Sequence, residues 1–269
     1  MAAIDPLHQF AIEKVVELPP VNVPGLGLLD LSITNSVVAM AIAAVAICLF
    51  FALAAKGAVV PGRLQSVGEA LYGLVDGLTS SMIGHEGRKY FPFVFTLFIF
   101  IMTMNLFGLL NFIGLAHMFT PTSQVAVTAT LALITMGLVI VVGFVKNGLG
   151  FFKLFVPSGV PIGILPFLVL IEFISFLVRP ITLTLRLFGN MLGGHVVLAI
   201  FGSFVAALGA YALSTGGAAY AALIPSVLSF GMVVALTALE LIVGFLQAFV
   251  FAALACVYLN DVVNLGHGH

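Results

Sequence analysis

Apolar residues in this chain come in long runs separated by short polar patches, and the length of each run bounds what it can be. Asn35 to Ala55 carries no charge and stops at Lys56. At ~1.5 Å per residue it is long enough for one crossing of ~30 Å of hydrocarbon. Residues 61–85 read differently: Arg63, Glu69 and Asp76 recur through Leu, Val and Ile, the pattern of an amphipathic helix lying at the interface. Gly84 to Lys89 is a polar turn. Phe91 to Leu115 predicts a second span with Asn105 inside it. His117, Pro121 and Thr122 mark a short loop, and Gln124 to Val145 predicts a third span ended by Lys146-Asn147. Residues 146–165 read as a connector broken by Gly and Pro, with Lys153 in it.

The last two runs, Pro166–Leu213 and Ala221–Leu259, are too long for one perpendicular crossing, which takes roughly 20 residues. Each holds either more than one span or one helix steeply tilted in the bilayer. No polar turn interrupts 221–259, and Gly216-Gly217 is the clear break between the two runs, which favours two long tilted helices. The expected fold is therefore an all-α integral membrane protein with five to six membrane-embedded helices.

Composition agrees. Of 269 residues 62% are hydrophobic and 7% charged, where a soluble domain carries about 25% charged; the mean hydropathy is +1.28. Nine basic and ten acidic residues leave no basic surface for nucleic acid. Cys48 and Cys256 both lie in apolar runs and read as small buried hydrophobes. The polar first thirty residues, broken at Pro19-Pro20, lack the basic and apolar regions of a cleaved signal peptide. Lys56/Arg63, Arg88/Lys89 and Lys146/Lys153 fall on one side if the first span runs outside to inside, whereas loops 116–123 and 209–220 carry no Lys or Arg. The positive-inside rule then places the N-terminus outside and the C-terminus in the cytoplasm. The resulting division is an outer segment 1–34, one membrane domain 35–262 and an inner tail 263–269. His267 and His269 in that tail read as solvated, not as metal ligands.

The informative residues are the charges inside the runs. Arg186 sits in the middle of a nearly fully apolar stretch, where an arginine costs ~3 kcal/mol or more and cannot shed its proton. On a helix, Arg179 lies ~20° off its face, and Glu172, Asn190 and Thr182 within ~40°. His195 falls ~180° away, suited to a second path. Glu240 and Gln247 share a face of the last helix, and Gly189 and Gly193 form a G-x-x-x-G spacing that lets another helix approach. Each residue also has a purely structural reading. Arg179 can snorkel to headgroups and Glu172 can be interfacial. Arg186 can be a static partner of Glu240, as can His195, and Asn105, Asn190 and Gln247 can be hydrogen-bonding links between helices.

The chain has no nucleophile–base set, no phosphate-binding glycine loop and no metal spacing, so no cofactor or metal is expected. Titratable groups beside a permanent cation in a membrane are the inventory of an ion pathway. A fixed cation between two half-paths repels a crossing proton and favours ionisation of a carboxylate brought beside it.

The segment Arg-Pro-Ile-Thr-Leu-Thr-Leu-Arg-Leu-Phe-Gly-Asn-Met (179–191), with Leu239-Glu-Leu-Ile-Val-Gly-Phe-Leu-Gln-Ala-Phe-Val-Phe (239–251) and Tyr258-Leu259, closely resembles subunit a of the rotary F-type ATP synthases. The resemblance covers most of the chain. It implies a non-catalytic, proton-translocating stator subunit whose Arg186 faces the carboxylates of a c-subunit ring. It also implies b-type stator subunits as partners and a bacterial inner membrane, with the mitochondrial one as alternative. It places Asn190 and Gln247 near Arg186, His195 and Glu240 in the outer half-channel, and Glu172 near the inner one. In many bacterial members the residue at position 195 is acidic and that at 240 is histidine; here the two are exchanged, as in mitochondrial-type members, which supports a proton relay between them. A stand-alone transporter is the competing class, and it predicts an internal repeat. The Arg186 segment has no counterpart in residues 36–145.

Overall fold

The computed structural model describes residues 14–17, 19, 21–23, 27–29, 32–57, 60–112, 120–156, 161, 163–215 and 222–265. His117, the Gly216-Gly217 break, His267 and His269 lie outside them. Among the described residues six α-helices carry the fold: α1 (Asn35–Ala54), α2 (Arg63–Ile83), α3 (Phe91–Phe112), α4 (Val125–Asn147), α5 (Leu165–Thr215) and α6 (Leu223–Val263). All but α2 are long and apolar enough to cross a membrane, so the all-α membrane class holds.

Both long runs fold as single helices, of 51 and 41 residues. Straight, α5 would be ~77 Å long, more than twice the hydrocarbon thickness, so it cannot stand upright. Pro180 lies inside it without ending it. Just beyond it, two threonines bond back onto the helix: Thr184 Oγ1 donates to Pro180 O (2.8 Å) and Thr182 Oγ1 to Arg179 O (2.9 Å). The α2 stretch is amphipathic, burying Gly68, Val75, Thr79 and Ile83 at helical spacing and exposing Arg63 and Glu69.

Two regions differ from expectation. The described residues of the polar N-terminal segment include four short strands in two antiparallel pairs, Lys14–Val16 with Ile33–Thr34 and Val21–Val23 with Gly27–Leu29. Strands of two or three residues leave too little alternation to read in a sequence punctuated by prolines. The 146–165 connector contains a 3₁₀ helix, Gly148–Phe155. Gly148 turns the chain out of α4 with φ +54°, a region glycine enters without steric cost. The 3₁₀ helix then sets Phe151 and Phe155 against Phe176 of α5.

The chain divides into two compact units, 1–45 with 103–124 and 189–246, and 46–102 with 125–188 and 247–269. In the first, α5 and α6 pair antiparallel, with Ser226 Oγ donating to Val205 O (3.1 Å). In the second, the ends of α2, α4 and α6 converge: Asn147 Nδ2 donates to Val262 O (2.7 Å), and Asn264 Nδ2 to Ile83 O (3.3 Å).

Glu86, in the polar turn, accepts Lys146 Nζ at 2.8 Å and has Lys89 at 3.8 Å. The Lys146 hydrogen bond and charge hold its carboxyl below the ordinary carboxylate range. A lowered folded-state pKa means this contribution is present above the unfolded value and is lost as pH falls through the folded one. Glu86→Gln should therefore lower stability slightly at neutral pH and leave it unchanged at acid pH, flattening the acid limb by the same small amount, the pair being exposed and screened. Thermal melts of the detergent-solubilised protein at neutral and acid pH check this.

Candidate functional site

In the first unit, His195 of α5 and Glu240 of α6 face each other, Nδ1 to Oε1 at 3.5 Å, each side chain 6% exposed. Thr120, just after α3, brings its hydroxyl to 3.4 Å from His195 Nε2. Asn105 Nδ2 on α3 donates to Gly244 O of α6 (2.9 Å), joining those helices beside the pair. Among the described residues neither oxygen of Glu240 has a hydrogen-bond partner. A buried carboxylate in that condition is costly and reads as functional. The three side chains form a hydroxyl–imidazole–carboxyl row able to pass a proton along it.

Glycines make the row possible. A Cβ at Gly108 would stand 2.6 Å from Thr120 Oγ1 and 2.7 Å from His195 Nε2, and one at Gly194 would stand 2.6 Å from Glu240 Oε1. Gly108→Ala must therefore turn the imidazole or push out the hydroxyl, and should lower transport several-fold while leaving insertion intact. Comparing proton flux with the amount of inserted protein tests it.

The second unit holds the two arginines of α5, in opposite circumstances. Arg179 is 17% exposed; its Nη1 donates to Asp261 Oδ2 (2.9 Å) and its Nη2 lies 3.6 Å from Glu172 Oε1. Its guanidinium packs 4.8 Å from the Tyr258 ring centroid and 5.6 Å from that of Phe176. Glu172 thus pairs with Arg179. Arg186 is exposed and makes no ion pair or hydrogen bond among the described residues. On its helix Ile181, Leu185 and Leu177 are all more than half exposed. The neighbour of Glu240 in its own unit is His195.

Of the remaining candidates, Asn190 is exposed and Gln247 is 5% exposed. Cβ atoms at Gly189 and Gly193 would meet nothing within 4 Å. No group of three metal-ligating side chains occurs among the described residues. Sequence reasoning missed Thr120, Gly108 and Asp261. Asp261 had a signal, being an acid at the end of one apolar run when antiparallel pairing brings it to an arginine near the start of the other. Thr120 had none.

Residues 37–260 match the family described as ATP synthase A chain. Among curated relatives, the ATP synthase subunit a of Chelativorans sp. (strain BNC1) is 49% identical over 98% of this chain and 100% of its own length. That of Rhodopseudomonas palustris (strain BisB18) is 47% identical over 98% and 100%, and that of Hyphomonas neptunium is 49% identical over 97% of both chains. With a match over most of its length and relatives sharing nearly half its residues end to end, this chain belongs to the ATP synthase A chain family.

Proposed function

We propose that this chain is the proton-translocating, non-catalytic stator subunit of a rotary F-type ATP synthase in a bacterial inner membrane. Arg186 separates two half-channels and faces the carboxylates of a c-subunit ring, coupling proton flow to rotation and ATP synthesis. The observation that carries this reading is the exposure of Arg186, inside a largely apolar helix, with no ion-pair partner among the described residues. A guanidinium in a membrane needs a counter-charge, and a membrane carboxylate supplied by another chain provides it. Open space at Gly189 and Gly193, one and two turns further along α5, suits the close approach of a helix bearing that carboxylate.

His195, Glu240 and Thr120 form the relay of one half-channel; Asn190 and Gln247 lie toward Arg186, and Glu172 near the mouth of the other. The convergence of Lys89 and Lys146 with the C-terminal end of α6 in one unit supports a cytoplasmic C-terminus by the positive-inside rule. Residues 35–262 then form the membrane domain, with 1–34 outside. The other exposed apolar flanks meet lipid and b-type stator subunits.

A cross-linking experiment tests the carrying observation. With Cys48 and Cys256 replaced, Gly189→Cys in the whole complex should form a disulfide with a cysteine placed beside the ring carboxylate. Cross-links to no ring polypeptide, with assembly intact, would overturn the assignment of this face.

A further inference from the structure

Arg179 carries as much charge as Arg186, yet the reading above gives it no part in moving protons. Its surroundings are those of a fixed joint. The guanidinium is held on one edge by Asp261 (2.9 Å) and on another by Glu172 (3.6 Å), while the Tyr258 ring packs 4.8 Å from it. Asp261 and Tyr258 both belong to the last two turns of α6, so this one side chain ties α5 to the end of α6. A planar, permanently charged fork that stacks on an aromatic ring loses little freedom when so held.

The position of the joint matters more than its strength. Pro180 is the next residue, and having no N–H it leaves the carbonyl four residues back, that of Phe176, without its helical donor. A helix is most easily bent at such a point. Arg186 lies beyond the proline, ~10 Å further along the axis and within ~20° of the direction of Arg179. A small swing or rotation at Pro180 would displace the guanidinium of Arg186 by ångströms.

We propose that Arg179 and Asp261, cushioned by Tyr258, form a clamp that immobilises α5 at its proline and thereby fixes the position of Arg186 toward the ring. The pair is a positioning device and carries no protons. The inference rests on the assignment of Arg186 made above.

The test is a double-mutant cycle in inverted vesicles containing the whole complex, read as protons pumped per ATP hydrolysed. Asp261→Asn leaves Arg179 without its nearest carboxylate, and Arg179→Gln leaves Asp261 without its cation. Each should lower the pumping ratio about 10-fold, because ångström misplacement of a reacting group costs at least that much. Arg179→Gln with Asp261→Asn restores a neutral hydrogen-bonded pair and leaves only Glu172, whose side chain is 35% exposed, without its cation, and should recover the ratio to within about 3-fold of wild type. A double variant as poor as Asp261→Asn alone would overturn the clamp and make Asp261 a proton carrier. So would a double variant that fails to enter the complex, or single variants that pump as well as wild type. Arg186→Ala in the same vesicles separates the two ideas. If it still pumps, the assignment of Arg186 fails; if it is silent while the clamp variants pump normally, the clamp alone fails.

Discussion

Vesicles in which Arg186 is replaced by Ala should show no ATP-driven acidification above background, with the chain still inserted and the ring still co-purifying. The size of the effect follows from electrostatics. A cation ~4 Å from a carboxylate at an effective dielectric of ~20 stabilises the ionised form by ~4 kcal/mol, which is ~3 pKa units. With Arg186 in the role proposed above, removing it would lower the fraction of ring carboxylates that ionise on passing α5 by about a thousand-fold. It also removes the barrier between the two half-paths, so flux that persists should be uncoupled leak. Arg186→Lys should fail nearly as far. The ammonium keeps the charge but is a compact, strongly hydrated point in place of a planar fork, and a lysine in an apolar setting sheds its proton where arginine does not. Undiminished pumping by either variant would reduce Arg186 to a structural residue.

The second large effect is expected at His195 and Glu240. Their 3.5 Å separation and equal burial set an acid beside an imidazole, the arrangement that the proposed relay requires. Glu240→His alone places two imidazoles together, and His195→Glu alone two carboxylates. Like groups at that distance cannot both be charged, and each single variant should lose about 10-fold or more of ATP-driven pumping. Exchanging both restores one acid and one imidazole, and should return pumping to within about 3-fold of wild type, a coupling that only a double-mutant cycle exposes. A double variant no better than its parents would mean that the pair is a fixed structural contact.

Much of the fold could be read from run length alone, because in hydrocarbon every backbone polar group must be satisfied within its own segment. The observed α1, α2 and α4 begin and end within about two residues of the apolar or amphipathic stretches that predict them. Pro166–Leu213 and Ala221–Leu259 proved to be single helices for the same reason. Periodicity fared less well at the site. It put Arg186, Arg179, Glu172 and Asn190 on one stripe, but a helical wheel gives angles between side chains and not which angle faces outward. Arg179 turned out to be enclosed by Asp261 and Tyr258, while Arg186 stands exposed. That difference depends on what α6 brings to α5 from some eighty positions away, and no local window contains it. The Thr120 contact to His195 likewise depends on a loop whose sequence is unremarkably polar.

The 51 residues of α5 have a consequence for the lipid in which the protein works. A perpendicular span meets a thicker bilayer as hydrophobic mismatch and must stretch, slide or compress its surroundings. A straight helix of ~77 Å confined to ~30 Å of hydrocarbon would instead lie ~67° from the normal. Thickening the bilayer by ~3 Å, the span of difference between common membranes, would turn it by only ~2°. A helix lying that flat would answer a change of membrane with a slight rocking, and the depth of a residue at its centre would hardly move. The same long helix that is awkward to fit into a bilayer is thus tolerant of which bilayer it is given.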